Sequence, residues 1–118
     1  MSSRRTGRLN VLFREEISTI ILREVKDPRI GFVTITSVDV SADLSLAKIY
    51  FSAITEESNR EKIVKGLQSA APFIRSSLKK KLSLKRIPML EFIYDMSLEY
   101  GDRIDKILKN LKDEDSEG

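Results

Sequence analysis

Cysteine and histidine are both absent from this chain of 118 residues. Their absence removes disulfides, thiol chemistry and nearly every zinc site. Catalysis would then need a carboxylate cluster or an activated lysine. Two acidic pairs, Asp39 with Asp43 and Asp95 with Glu99, are close enough in sequence to consider. The first pair flanks a turn, where Asp is common for turn chemistry, and Asp95 falls at a strand end. No glycine-rich phosphate loop is present, and no helix-turn-helix pattern supports reading DNA. The expectation is a protein without catalytic activity, cofactor or metal. Long apolar runs are also missing: none approaches the roughly eighteen residues of a membrane span, and the N-terminus lacks a signal-peptide core. A soluble, cytoplasmic protein is expected.

What the chain has in quantity is positive charge. Lys and Arg number 21 against 18 Asp and Glu, a formal net charge of +3. Asp113, Glu114, Asp115 and Glu117 form an acidic tail. Residues 1–112 alone carry 21 positive and 14 negative side chains, a net +7. This length bounds the fold to one domain with a single core, assigned to residues 1–112, with 113–118 a disordered tail. A basic body points to polyanions, and composition alone does not separate RNA from DNA or anionic lipid.

The charge is concentrated between Arg60 and Arg86, where nine Lys or Arg stand against one acid, Glu61. Within that stretch Ile63, Leu67 and Ala70, then Ile74, Leu78 and Leu82, recur at spacings of three or four and line a helical face. Between the runs stands Ala70-Ala71-Pro72. Proline disfavours the α region at the residue before it and suits the first turn of a new helix. The prediction is therefore two helices with a break. Ala71 would be the cap of the second, leaving the amides of Phe73 and Ile74 free for a phosphate oxygen. Arg75, Lys79 and Lys80 follow on or beside the solvent face. A solvated helix pair in a basic protein is the competing interpretation.

The remaining elements follow from periodicity. Met1 to Gly7, with Arg4 and Arg5, is expected to be a disordered basic arm. A helix begins near Arg8, buries Leu9, Phe13, Ile17, Ile20, Ile21 and Val25, and ends at Asp27-Pro28. Gly31 to Val40 is a strand whose alternation slips a phase, which a bulge near Thr36-Ser37 would repair. After a turn at Ser41 to Asp43, Leu46 to Ile54 alternates Ala47, Ile49, Phe51 and Ala53 with Lys48, Tyr50 and Ser52. Ser58 and Glu61 have capping-box spacing, which starts the next helix at Asn59. Met89 to Asp95 is a third strand, and Ser97 to Lys112 has helical spacing. The result is an α+β layer, a three-stranded sheet with helices on one face. Its uncovered face (Lys48, Tyr50, Met89, Glu91, Ile93) offers a second reading, a protein-interaction module.

This order, α-β-β-α(kink)α-β-α, resembles a type II KH domain, and within it the bacterial ribosome-binding factor A family. The residues that carry the resemblance are Val25-Lys26-Asp27-Pro28-Arg29, Thr36-Ser37-Val38-Asp39-Val40-Ser41 with Asp43-Leu44, Ala47-Lys48-Ile49-Tyr50 and Phe73-Ile74-Arg75-Ser76-Ser77-Leu78. Pro88-Met89-Leu90-Glu91-Phe92-Ile93-Tyr94-Asp95-Met96-Ser97-Leu98 completes it. Two departures stand out. The GxxG loop usual in RNA-binding KH domains is absent, and Pro72 stands where the family commonly has glycine.

The resemblance implies a non-enzymatic assembly factor that binds the immature small (30S) ribosomal subunit. It implies contact with 16S ribosomal RNA and help with late maturation, including processing of the RNA's 5′ end. It further implies an association with cold adaptation and release promoted by a ribosome-associated GTPase; a monomer is expected. The RNA-binding set expected from charge and kink is Arg4, Arg5, Arg8, Ala70, Ala71, Phe73, Ile74, Arg75, Lys79, Lys80, Lys81, Lys85 and Arg86.

Overall fold

The computed structural model describes residues 4–97, with side chains described from Gly7 onward. Helix α1 spans Arg4–Arg23, strand β1 Val33–Val40 and strand β2 Leu46–Ala53. A short 3₁₀ turn, Glu57–Asn59, leads into helix α2, Arg60–Leu82, and strand β3 is Met89–Tyr94. The helix expected from Ser97 to Lys112 and the acidic tail lie outside the described residues. No helix among the described residues is long and apolar enough to cross a membrane.

The sheet has the order β1-β2-β3. β1 and β2 form an antiparallel hairpin, while β2 and β3 run parallel, with α2 supplying the crossover a parallel pair requires. The expected bulge is present: the register shifts between Ile35 and Ser37, leaving Thr36 as the extra residue. That shift turns Val38 and Val40 to the face already occupied by Ile35, and all three are buried. Ala47, Ile49 and Phe51 of β2 and Leu90 and Phe92 of β3 complete the covered face. Phe13, Ile17 and Ile20 of α1 pack on it from one side, and Leu67, Ile74 and Leu78 of α2 from the other.

Three sequence expectations are corrected. The residues assigned to a disordered arm are helical from Arg4, since nothing between Arg4 and Arg8 stops a helix and one glycine costs only about 1 kcal/mol. The capping box does not form: Asn59 is the cap residue, in αR conformation without a side-chain cap, and Ser58 lies in the 3₁₀ turn. Most importantly, the helix does not break at Pro72. α2 runs through it without interruption for 23 residues.

The balance of magnitudes explains the continuity. An interior proline removes one backbone hydrogen bond and crowds the carbonyl four residues back, costing about 3 kcal/mol. Beyond it lie Ile74 and Leu78, both fully buried, and burying each contributes roughly 1.5–3 kcal/mol. The buried stripe Ile63, Leu67, Ala71, Ile74, Leu78 keeps helical phase across the proline, so one continuous helix seats both halves on the sheet. Pro72 itself is exposed, on the side where a carbonyl without its helical donor can be hydrated.

Two polar groups of one α2 side chain fix the helix in position. Gln68 Nε2 donates to the Leu90 carbonyl at 3.2 Å, and the Phe92 amide donates to Gln68 Oε1 at 2.7 Å. These backbone groups face away from β2, so Gln68 occupies the place of a fourth strand and closes that edge. In its second turn, α2 also passes close to the loop after α1. A Cβ on Gly66 would stand 3.0 Å from Ile30 Cγ1 and 3.3 Å from Arg29 Cβ, so only glycine permits this approach without displacement.

Candidate functional site

The last turns of α2 and the segment that follows them form a cleft of about 440 Å³. Pro72, Arg75, Ser76 and Lys79 line it from the helix, and Lys85, Arg86 and Ile87 from the segment. Its lining has four cations and no carboxylate. The local chain explains this placement. Ser83 adopts a left-handed conformation, φ 51°, which ends the helix and turns the chain back along it. Ile87 and Pro88 are then buried at the start of β3. Lys85 and Arg86, between turn and anchor, stay exposed beside α2.

Arg75 is the organised member of the group. Its Nε donates to the Pro88 carbonyl at 3.0 Å and its Nη2 to the Ile87 carbonyl at 2.9 Å. These bonds tie α2 to the entry of β3 and hold the planar fork in place. A guanidinium has five N–H donors, so others remain available to the cleft that Arg75 lines. A pre-positioned guanidinium flanked by flexible ammonium groups suits phosphate oxygens, which accept forked and point-charge contacts alike. The negative pole of α2 lies at this end, but its partial charge, about half a unit, is small beside four cations.

The sequence-predicted residues separate into groups. Lys79, Lys85, Arg86 and Arg75 are brought together. Lys80 and Lys81 are not, because consecutive helical residues fan apart by about 100°. Lys80 is exposed outside the cleft. Lys81 turns towards α1, its Nζ 3.9 Å from Glu24 Oε2, an oxygen that also accepts from Ser77 Oγ at 2.9 Å. Ala71 is buried and Ile74 fully buried, both in the core. The expected phosphate site at a helix start therefore does not exist, since the amides of Phe73 and Ile74 belong to the interior of a continuous helix. Ala70 and the Phe73 ring line a different groove. Arg8 is exposed on the first half of α1 and takes no part in the cleft. Arg4 and Arg5 are in the first turn of α1.

Sequence reasoning missed Ser76 and Pro72 as lining residues. The available signal was spacing: Pro72, Ser76 and Lys79 follow one another by about one helical turn. Of the acidic pairs, Asp43 and Asp95 hold local hydrogen-bond networks. Asp43 closes the turn by accepting from the hydroxyls of Ser45 and Ser41, each at 2.7 Å, and the Ser45 hydroxyl chiefly holds its pKa down at about 2. Asp95 accepts from the Ser97 hydroxyl at 2.6 Å and from the Thr36 hydroxyl, and its carboxyl lies below the ordinary carboxylate value. Asp27 is likewise lowered, by hydrogen bonds from Arg29. Among the described residues no group of three or more acids could hold a metal ion.

The same combination of elements recurs in known proteins. The family profile described as ribosome-binding factor A matches residues 5–108. The chain belongs to the ribosome-binding factor A family. The ribosome-binding factor A of Pelobacter propionicus is 48% identical over 112 residues, which cover 95% of this chain and 92% of that one. Among solved structures, the crystal structure of ribosome-binding factor A from Thermus thermophilus is similar with a TM-score of 0.67 at 26% identity, covering 75% of this chain and 94% of that one. A homology model of the Thermus thermophilus factor, fitted into a cryo-electron-microscopy map of its complex with 30S, is similar with a TM-score of 0.62 at 25% identity, covering 74% of this chain and 91% of that one. The sheet and helices that present the cationic cleft are thus the framework of ribosome-binding factor A.

Proposed function

We propose that this protein binds the small ribosomal subunit during its assembly and that the cleft of Arg75, Lys79, Lys85 and Arg86 is its contact with 16S ribosomal RNA. The observation that carries the reading is four convergent cations without an acid, on a chain of a family whose Thermus thermophilus member was fitted into a 30S complex. The protein acts by binding, not catalysis, as a monomer in the cytoplasm. It assists late maturation of the subunit, including trimming of the 5′ end of 16S ribosomal RNA, supports growth in the cold, and is released with the help of a ribosome-associated GTPase.

Sedimentation of cell extract tests this directly. The protein should co-migrate with free small subunits and be absent from polysomes, and ribonuclease should release it. The release should also follow salt, with log affinity falling by roughly 0.7–0.9 per phosphate contact for each log unit of salt. Equal recovery from polysomes, or retention after ribonuclease treatment, overturns the reading.

A further inference from the structure

The exposed side of α2 has a ridge, Pro72-Phe73, with a depression on each side. On one side is the cationic cleft, which Pro72 lines. On the other is a shallower groove of about 220 Å³ between α2 and the chain leaving α1. Val25, Ala70 and Phe73 give this groove an apolar floor, and Ser69, Lys26, Glu24 and Asp27 its polar rim. The two rim acids are already engaged, Glu24 by Ser77 and Lys81 and Asp27 by Arg29. Lys26 is exposed.

The Phe73 ring is 51% exposed, although its neighbour Ile74 is fully buried. A large aromatic ring that the core does not need, set one residue from a cleft of four cations, has the composition of a single-strand binding site. In such sites phosphates are drawn into a basic groove and bases stack on aromatic faces. We infer that Phe73 is the stacking platform for an unpaired base of single-stranded RNA whose phosphates occupy the cationic cleft. The flat apolar floor suits a base ring, and the rim of Ser69 and Lys26 supplies donors to its edge. The four cations of the cleft stay on the other side of the ridge. A duplex does not fit this description, because its bases are stacked inside the helix and closed to an intruding ring. This inference rests on the proposed function and specifies which form of RNA is recognised.

The test measures binding of a short labelled single-stranded RNA of mixed sequence, and of the same strand annealed to its complement. Phe73→Ala and Phe73→Leu should each weaken single-strand binding by roughly 5- to 150-fold, the range for removal of one base stack. Phe73→Tyr, which keeps the ring, should bind like the wild type. None of the three should alter duplex binding or the salt slope, because every phosphate-binding cation is kept. Lys79→Glu should weaken both RNAs and reduce the slope. Three results overturn the inference: Phe73→Leu binding single strands as tightly as the wild type, an equal weakening on duplex, or a weakening on intact small subunits without one on free RNA. The last would place a ribosomal protein on the ridge. A wild-type chain that bound neither subunits nor RNA would instead refute the function on which the inference rests.

Discussion

The two ends of α2 both carry cations and use them in opposite ways. At the N-terminal end, Arg60 lies over the Tyr94 ring, its guanidinium carbon 4.2 Å from the ring centre, and its Nη1 is 3.9 Å from Glu57 Oε1. Lys65 stands 3.9 Å from Glu61. At the C-terminal end, Arg75, Lys79, Lys85 and Arg86 converge on a cleft with no carboxylate in its lining. Arg60 and Lys65 direct their charge to partners within the fold, and an exposed pair such as Lys65 with Glu61 contributes about 0–1 kcal/mol. The cleft leaves its charge for a ligand. Counting cations along a sequence does not locate an anion site; counting which of them are already answered does.

Charge reversal separates the two ends with the largest effect. Lys79→Glu combined with Lys85→Glu and Arg86→Glu should lower affinity for small subunits by about a thousandfold, taking about 1.5 kcal/mol for each of the three charged hydrogen bonds to phosphate. The melting transition should move by no more than about 1 kcal/mol equivalent, since these side chains are exposed and add only a dipole contribution. Lys62→Glu combined with Lys65→Glu reverses two charges at the other end, against three in the cleft. It should cost far less affinity, because salt screens charges beyond about 8–10 Å. Equal weakening at both ends, measured by subunit co-sedimentation, would show that binding follows net charge and not the cleft.

Arg75 sharpens the comparison, because it belongs to the cleft and yet is tied into the fold. Arg75→Ala removes two charged hydrogen bonds to the Ile87 and Pro88 carbonyls, so stability should fall by about 3 kcal/mol. Lys85→Ala, in the same cleft, should change stability by less than about 0.5 kcal/mol. Arg75→Lys keeps the charge without the fork. It should recover part of the RNA affinity while remaining less stable than the wild type in denaturant unfolding. Wild-type stability in Arg75→Ala would mean that the guanidinium serves the ligand alone.

Much of this fold is legible in the sequence, down to the bulge at Thr36, because strand alternation is a local signal and its phase slip has one common remedy. The cations of the cleft are legible as charge, residue by residue, but their convergence is not, since Lys80 and Lys81 look the same in sequence and lie outside it. The break expected at Pro72 fails because a local rule about proline is weaker than the apolar stripe, whose phase from Ile63 to Leu78 already requires one helix. The roles of Gln68 and Arg75 are out of reach of sequence. Both flank the buried stripe, but only the tertiary arrangement shows that it faces an open strand edge, with a donor at Phe92 and acceptors at Leu90, Ile87 and Pro88 to be met. The sequence draws attention to the Phe73 amide, while its exposed ring becomes visible only once α2 is seated.

The smallest expected effect concerns acid, and it too should divide the molecule. Asp95 closes the sheet beside the N-terminal end of α2. Its carboxylate accepts from the Ser97 hydroxyl first, then from the Thr36 hydroxyl and the Ser97 amide, and these bonds lower its pKa below 3.8. A carboxyl depressed on folding binds its proton more weakly in the native state than in the unfolded chain. Its contribution to stability is therefore complete above the unfolded value of about 3.9, and is lost as pH falls through the lower folded value. The cationic cleft has no carboxylate in its lining. Acidification should thus loosen the junction of Thr36, Asp95 and Ser97 before it affects the cleft. Denaturant midpoints measured from neutral pH down to about 2.5 should fall less steeply in Asp95→Asn than in the wild type, with Asp27 and Asp43 supplying the slope that remains. Amide shifts should change at Thr36 and Ser97 before they change at Lys79 and Lys85. An acid limb identical in the Asp95→Asn and wild-type proteins would show that Asp95 is held equally well in the unfolded chain, and the two ends of α2 would then share one response to acid.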